Sequence, residues 1–428
     1  MRTAALAALT SLILIGAAGC SGPPAGSTQG KGPSAAQTKV GGLVLVRRGD
    51  LYLVTRAGGP ARRLTKGLSA SHPLFSPDGR YVAFLDGSAA AGAPQRVGIV
   101  GADGKGLHVF RTAQQARAGN VAWRPSGDVL ALWGASLQFL RPDGTLRTPV
   151  RPRSGSVIGF AWAPAGGGYG YVVTPTVTAQ NMSVRADALY VSAGGSPARR
   201  IYTADKMVGI LLAGYWPGGK GLLFWLDPSH SASLAADGLP LESMPLGGGT
   251  PRTLATTLPY RQWVQPDGQD VLVVAGDGRI AWSGKALERC APLTGTCTSL
   301  AAPPGDVAID PAGSRAAGRV AYVTAKDLGT GVWSPSQGGL AAWQRTRTLY
   351  VRTGSGAAPQ RVAAGGVFDP TWSADGSSLA YVRQGALWLW RPGKGSLRVA
   401  TLAAPASLDY DYYGFTTYRA AFAWSGGE

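Results

Sequence analysis

Histidine, cysteine and methionine are scarce in this chain: three, three and four among 428 residues. His72, His108 and His230 lie too far apart in sequence to form a local metal pair. There is no His-Glu-x-x-His helix, no Gly-x-Ser-x-Gly elbow and no phosphate-cradling Gly-Lys-Ser/Thr loop. Nothing in these motifs asks for a metal or a cofactor. Acidic residues are also few, 23 against 41 Lys and Arg, so the formal charge is +18. A basic balance favours anionic partners such as lipid headgroups or an anionic cell-wall polymer. The absence of a dense Lys/Arg run, a recognition helix or a zinc-finger pattern argues against nucleic acid.

What the chain has in abundance is glycine and proline, 63 and 30 residues spread along its length. Both punctuate short strands and break helices. Thirteen Trp, 15 Tyr and 9 Phe supply apolar area that a disordered Gly/Pro tract would lack. The composition therefore predicts many short strands joined by tight turns.

The N-terminus reads as a processing signal. Arg2 precedes the apolar run Ala4 to Ala18, which ends in Gly19-Cys20. That run suits a secretory leader, residues 1–19, rather than a spanning helix. Cys20 directly after Ala18-Gly19 resembles a bacterial lipobox, in which the cysteine is lipidated and becomes the mature N-terminus. An ordinary leader with an incidental cysteine is the alternative. Lipidation would anchor the protein to a bacterial membrane on its extracytoplasmic side. Residues 20–40 lack any apolar period and read as a Gly/Ser/Pro-rich tether, with a root-mean-square span of roughly 25 Å. Cys290 and Cys297 flank a short turn. In an oxidising compartment they are expected to pair as a structural disulfide; a metal pair is the other reading, without a second ligand pair to support it.

Self-similarity dominates residues 41–428. Phe75-Ser76-Pro77-Asp78-Gly79 precedes the apolar strand Tyr81–Phe84, and related segments recur at 123–127, 162–166, 215–219, 264–268, 309–313 and 372–376. Trp424-Ser425-Gly426 is a truncated copy. The large apolar residue closes an inner strand, and Gly provides the positive φ of a hairpin turn. Successive proline positions lie 48, 39, 53, 49, 45, 63 and 52 residues apart, the last measured to Gly426. Such spacing suits a four-stranded propeller blade. The segment 42–65 has strands but no leading motif, whereas Phe422–Trp424 is a motif strand with nothing after it. Together they would form one blade and close the ring. The count is then eight blades, or seven if the copy at 309–313 is not one. Outer-strand arginines such as Arg62, Arg199 and Arg252 are read as exposed edge charges.

The Phe/Trp-Ser-Pro-Asp-Gly repeat with its apolar strand resembles the WD40-like (PD40) repeat of the TolB-type propellers. The resemblance implies an all-β propeller and, in general terms, partner binding. It implies no particular partner, because the chain lacks the separate N-terminal α/β domain of TolB itself.

In such a ring, connections between second and third strands share one face with those between blades. The long insertions 174–188, 227–240, 324–346 and 403–418 all fall in these classes. They carry Trp333, Trp343, Tyr410, Tyr412 and Tyr413, which points to recognition of an envelope protein or a glycan. Packing of these aromatics as a lid is the alternative. Five residues before each proline position, at the channel mouth on that face, sit His72, Asn120, Arg261, Asp306 and Asp369, candidates for holding a ligand. The expected function is a non-catalytic, membrane-anchored binding platform. An envelope hydrolase or lyase, built on carboxylates that folding brings together at the channel mouth, is the second hypothesis.

Overall fold

In the computed structural model the described residues are 39–87, 95–112, 114–177, 185–300, 302–314, 318–331, 339–354, 357–402 and 413–425. Cys20, Trp333, Tyr410 and Tyr412 lie outside them. The described residues form eight four-stranded antiparallel sheets, the blades of an eight-bladed propeller. Blades 2 to 8 start from the innermost strands Ala70–Phe75, Val121–Trp123, Ser156–Trp162, Val208–Tyr215, Val264–Asp267, Asp306–Ser314 and Val367–Trp372. Blade 1 is composite. Its innermost strand, Phe422–Trp424, pairs with Lys39–Arg47, with Leu43 opposite Trp424 and Leu45 opposite Phe422. Asp50–Arg56 and Arg62–Arg63 complete it. The ring thus closes by backbone pairing between residues almost 400 positions apart, which removes two sheet edges. No helix among the described residues is long and apolar enough to cross a membrane.

The repeat motif builds the hairpin between the first two strands of a blade. In blade 2 the Ser76 hydroxyl accepts from the Tyr81 N–H at 2.9 Å and donates to Asp78 Oδ1 at 2.6 Å. The Gly79 N–H donates to the Ser76 carbonyl at 2.8 Å, and Gly79 takes a φ of 70° that an L side chain resists. Ser373 and Asp375 repeat the arrangement in blade 8. The aromatic residue of the motif joins blades. The indole N–H of Trp123 donates to Leu74 O in the preceding blade, that of Trp162 to Ala122 O, and that of Trp372 to Ala312 O. The core lies between neighbouring sheets: Val44 and Leu51 of blade 1 pack with Phe75, Val82 and Phe84 of blade 2. Each such fully buried side chain contributes ~1.5–3 kcal/mol.

Two readings from the sequence change. First, blade 7 exists, but its hairpin does not sit at Pro311. The innermost strand runs through Pro311 to Ser314, with a bulge between Ile309 and Ala312, and the turn is closed by the Gly318 N–H on the Ser314 carbonyl. The place of the motif tryptophan is taken by Gly313. A Cβ there would meet the Pro266 carbonyl of blade 6 at 1.9 Å, so this close approach requires glycine. Second, the outer-strand arginines do more than repel edges. Arg62 donates to the carbonyls of Ala102 and Asp103, Arg199 to Leu246 O and Arg252 to Leu293 O, each on the next blade. Part of the cationic excess therefore clamps one blade to another. Cys290 and Cys297 lie opposite each other in blade 6 and form a disulfide.

Candidate functional site

Three blades share a local device at the channel. His72, Asp310 and Asp369 take φ values of 50°, 46° and 49°, and each precedes a proline. Each lies in a bulge of its innermost strand. A left-handed residue before proline is strained, and Asp tolerates it better than most because its short polar side chain finds local partners. Asp310 is the residue that sequence spacing missed. The shifted turn of blade 7 makes Asp310, not Asp306, the equivalent of Asp369. The shared Asp-Pro dipeptide was the available signal. Asp306 begins its strand and accepts from Thr324 Oγ1 at 3.2 Å.

Asp310 and Asp369 are both neutralised by the protein. Asp310 accepts an ion-paired hydrogen bond from Arg347 and one at 3.3 Å from the Trp263 indole. Arg347 is only 1% exposed; its Nε donates to Val367 O at 2.9 Å and its guanidinium lies 4.3 Å from the Phe368 ring centroid. Burial pushes the Asp369 carboxyl above its ordinary pKa, aided by the nearby Asp310 charge and opposed by Arg419 and the Tyr418 N–H. Thr417 Oγ1 also donates to it, at 2.9 Å.

These partners of Asp369 belong to the connection that leads into the closing strand. Its described part, 413–421, lies as a strap over blades 6 to 8. Phe415 stacks on Tyr260 at 4.6 Å and meets Trp263 edge-on. The Tyr413 carbonyl accepts from the Ala281 N–H, and its hydroxyl from Arg279. Thr416 accepts from Gln344 in the helix α1, Gly339–Thr346, of the blade 7 insertion. Trp343 in that helix is 2% exposed, donates to Lys326 O and packs against Trp282. Among the described aromatics of the insertions, Trp343 and Tyr413 pack down as part of a lid.

The other side of the mouth is different. Arg261 stands in a single helical turn, Arg261–Trp263, entering blade 6. It extends to the Trp133 ring of blade 3, three blades away, with its guanidinium carbon 5.5 Å from the centroid. No carboxylate among the described residues pairs with it. Crowding by protein removes water and draws its pKa down to about 10, still cationic at neutral pH. Its platform is stiff. Asn120 donates to Trp133 O at 2.7 Å and Gln114 to Leu132 O at 3.2 Å. Asn120 is thus engaged by backbone, and His72 has Ser71 beside its Nδ1 at 3.3 Å.

On the same face, at blades 4 and 5, Asp187 is fully buried. Its Oδ2 accepts from the Ile210 N–H at 2.9 Å, while Oδ1 lies 3.8 Å from His230 Nε2 with neither atom hydrogen-bonded. Burial lowers the His230 pKa and raises that of Asp227. The one cluster of metal-type side chains among the described residues, Glu288 with Cys290 and Cys297, has both sulfurs in the disulfide.

No family model matches the chain, and no curated protein matches it. Solved structures do. Dipeptidyl peptidase 4 of Porphyromonas gingivalis aligns at 10% identity with a TM-score of 0.59, over 86% of this chain and 59% of that one. A prolyl endopeptidase aligns at 12% identity and a TM-score of 0.51, over 79% and 50%. An oligogalacturonate lyase in complex with manganese aligns at 13% identity and a TM-score of 0.49, over 86% and 99%. The chain spans between half and three-fifths of the two peptidases' length. At these identities the likeness is one of fold.

Proposed function

We propose that this protein is a non-catalytic binding platform of the bacterial envelope, anchored through lipidated Cys20, whose working face carries the insertions and the Arg261 side of the channel mouth. The observation that carries the reading is Arg261. On this face Arg347 is answered by Asp310, Arg419 by Asp369, Arg279 by Asp237, and Lys285 by the carbonyls of Asp277, Gly278 and Ser283. Arg261 has only an indole. A guanidinium fork without a counter-ion, held over an aromatic face, is suited to a carboxylate or phosphate group of a protein or glycan partner. The same face exposes Leu234 and Met207, at 47% and 40%, which fit the apolar part of a contact.

The hydrolase or lyase reading rests on the two solved peptidases sharing the fold and on the coupled acids Asp310 and Asp369. Those acids are tied up by Arg347, the Trp263 indole, Thr417 and the Tyr418 N–H, which supports a structural role for them. The two readings separate in one experiment. The purified full chain is incubated with envelope extract, and the bound material is followed over time. Retention of a partner in fixed stoichiometry and chemically unchanged supports a platform. Loss of many equivalents of material per protein molecule, with new cleavage products, overturns it.

A further inference from the structure

The opposite face, where the first-to-second and third-to-fourth strand hairpins lie, has short turns and no long insertion. It nevertheless holds a cavity of about 190 Å3 between blades 3 and 4. Blade 3 contributes Phe139, Arg141 and Arg147; blade 4 contributes Trp162, Tyr169 and the glycines 166–168. The three aromatic side chains are half-buried and meet at defined angles. Phe139 lies 5.0 Å from Trp162 at 30°, and Tyr169 stands edge-on to both, at 89° and 82°. Arg147 is directly opposite Phe139 in the strand pair.

Two features set this cavity apart from ordinary blade packing. Arg141 and Arg147 are exposed and pair with no carboxylate among the described residues, unlike Arg124, which donates to Gly166 O and approaches Asp128. Arg141 contributes only a through-space attraction to Asp143 in the same turn. The second feature is Gly167. The turn requires Gly166, at a φ of 71°, and Gly168 cannot carry a Cβ because it would meet Ser192 O at 2.5 Å. Gly167 has neither constraint: its φ is not left-handed, and a Cβ there would meet nothing within 4 Å. A glycine that the backbone does not require costs conformational entropy. At this position it joins the lining of the cavity and leaves the space of a side chain empty.

We propose that this cavity is a second binding site, distinct from the channel mouth, which takes one six-membered ring bearing a carboxylate: an acidic sugar residue. The aromatic walls stack against the C–H faces of a pyranose, and the two free guanidinium groups receive the acid. The volume suits one ring, and the open rim lets neighbouring residues of a chain continue outward. An acidic envelope polysaccharide would therefore be held by one residue at a time, on the face turned away from Arg261.

The test is a titration of the full chain with D-glucuronate, monitored by ligand-observed NMR, with D-glucose and benzoate as parallel probes. Saturable binding of glucuronate, with glucose at least about tenfold weaker, is expected. Arg141→Gln with Arg147→Gln weakens glucuronate by about tenfold or more; both residues are exposed, so folding is not at stake. Gly167→Met adds a side chain at the lining of the cavity, where a Cβ meets nothing within 4 Å, and abolishes binding. Glucose binding as well as glucuronate, benzoate binding more tightly than either, no saturable glucuronate binding, or full binding by the Gly167→Met protein would each overturn the assignment. Because partner retention through the insertion-bearing face is measured separately, either site can fail without the other.

Discussion

Replacing Arg347 by leucine removes the buried cation on which the strap side of the ring depends. Four interactions vanish together: the ion pair with Asp310, the 2.9 Å hydrogen bond to Val367 O, the stacking 4.3 Å above Phe368 and the approach to the Trp343 ring at 5.8 Å. Leucine replaces some of the packing but leaves the Asp310 carboxylate buried with only the Trp263 indole. Stranding one partner of a buried pair costs about 3–5 kcal/mol. A propeller of roughly 390 residues unfolds with an entropy of ~0.8 kcal/mol/K, so the expected fall in melting temperature is about 4–6 °C. Asp310→Asn is the matching change, because asparagine accepts the left-handed φ and keeps an oxygen for Trp263. The double variant, with no carboxylate left stranded at position 310, should recover about 2 kcal/mol or more of the summed single losses. Calorimetry on the four proteins measures this. A loss below 1 °C for Arg347→Leu, or strictly additive losses, would refute the claim that this pair holds blades 7 and 8 and the strap together.

Three further outcomes follow from named contacts. Trp372→Phe removes the inter-blade hydrogen bond to Ala312 O and leaves that carbonyl buried, for an expected loss of ~1–2 kcal/mol by denaturant titration; an unchanged midpoint contradicts the stapling role of the motif tryptophan. The hydroxyl of Ser373, then the N–H and hydroxyl of Ser377, hold the Asp375 carboxyl down at about 2. Its contribution to stability is therefore present above the ordinary carboxylate pKa of about 4 and lost as pH falls from there through about 2. A carbon-detected NMR titration should show that low value in the native protein and a rise in Ser373→Ala; an ordinary value in the native protein contradicts the turn geometry. Reduction of Cys290–Cys297, seven residues apart, reopens a short loop and should lower stability by about 2–3 kcal/mol in calorimetric scans with and without reductant.

The blade repeat was legible because each turn needs a glycine with positive φ and each second strand is continuously apolar. Those constraints are local and repeat every blade. Ring closure was legible for a related reason: Phe422–Trp424 had no second strand after it and Leu43–Val46 none before it. Blade 7 was read out of register because Pro311 imitates the motif proline while lying inside a bulge. The candidate site was less legible. Arg261 stands out by its offset from Pro266, but its contact with Trp133 comes from three blades away, and no local pattern reports such a contact. Arg347 and Asp310 meet across 37 positions for the same reason. The cavity at Arg141 and Arg147 was missed because insertion length points only to the other face. The run Gly166-Gly167-Gly168, with one glycine that neither φ nor packing demands, was its trace in the sequence.

Partners are proposed to engage the face bearing the insertions and Arg261. Photo-crosslinking in living cells tests it most directly, with a benzophenone side chain placed at one exposed apolar residue at a time. Leu234 and Met207 mark the proposed face; Leu293 and Leu107 mark the opposite one. A protein or glycan adduct is expected at Leu234 or Met207 that disappears with Arg261→Gln, and no protein adduct at Leu293 or Leu107. A protein adduct confined to Leu293 or Leu107, indifferent to Arg261, would contradict it.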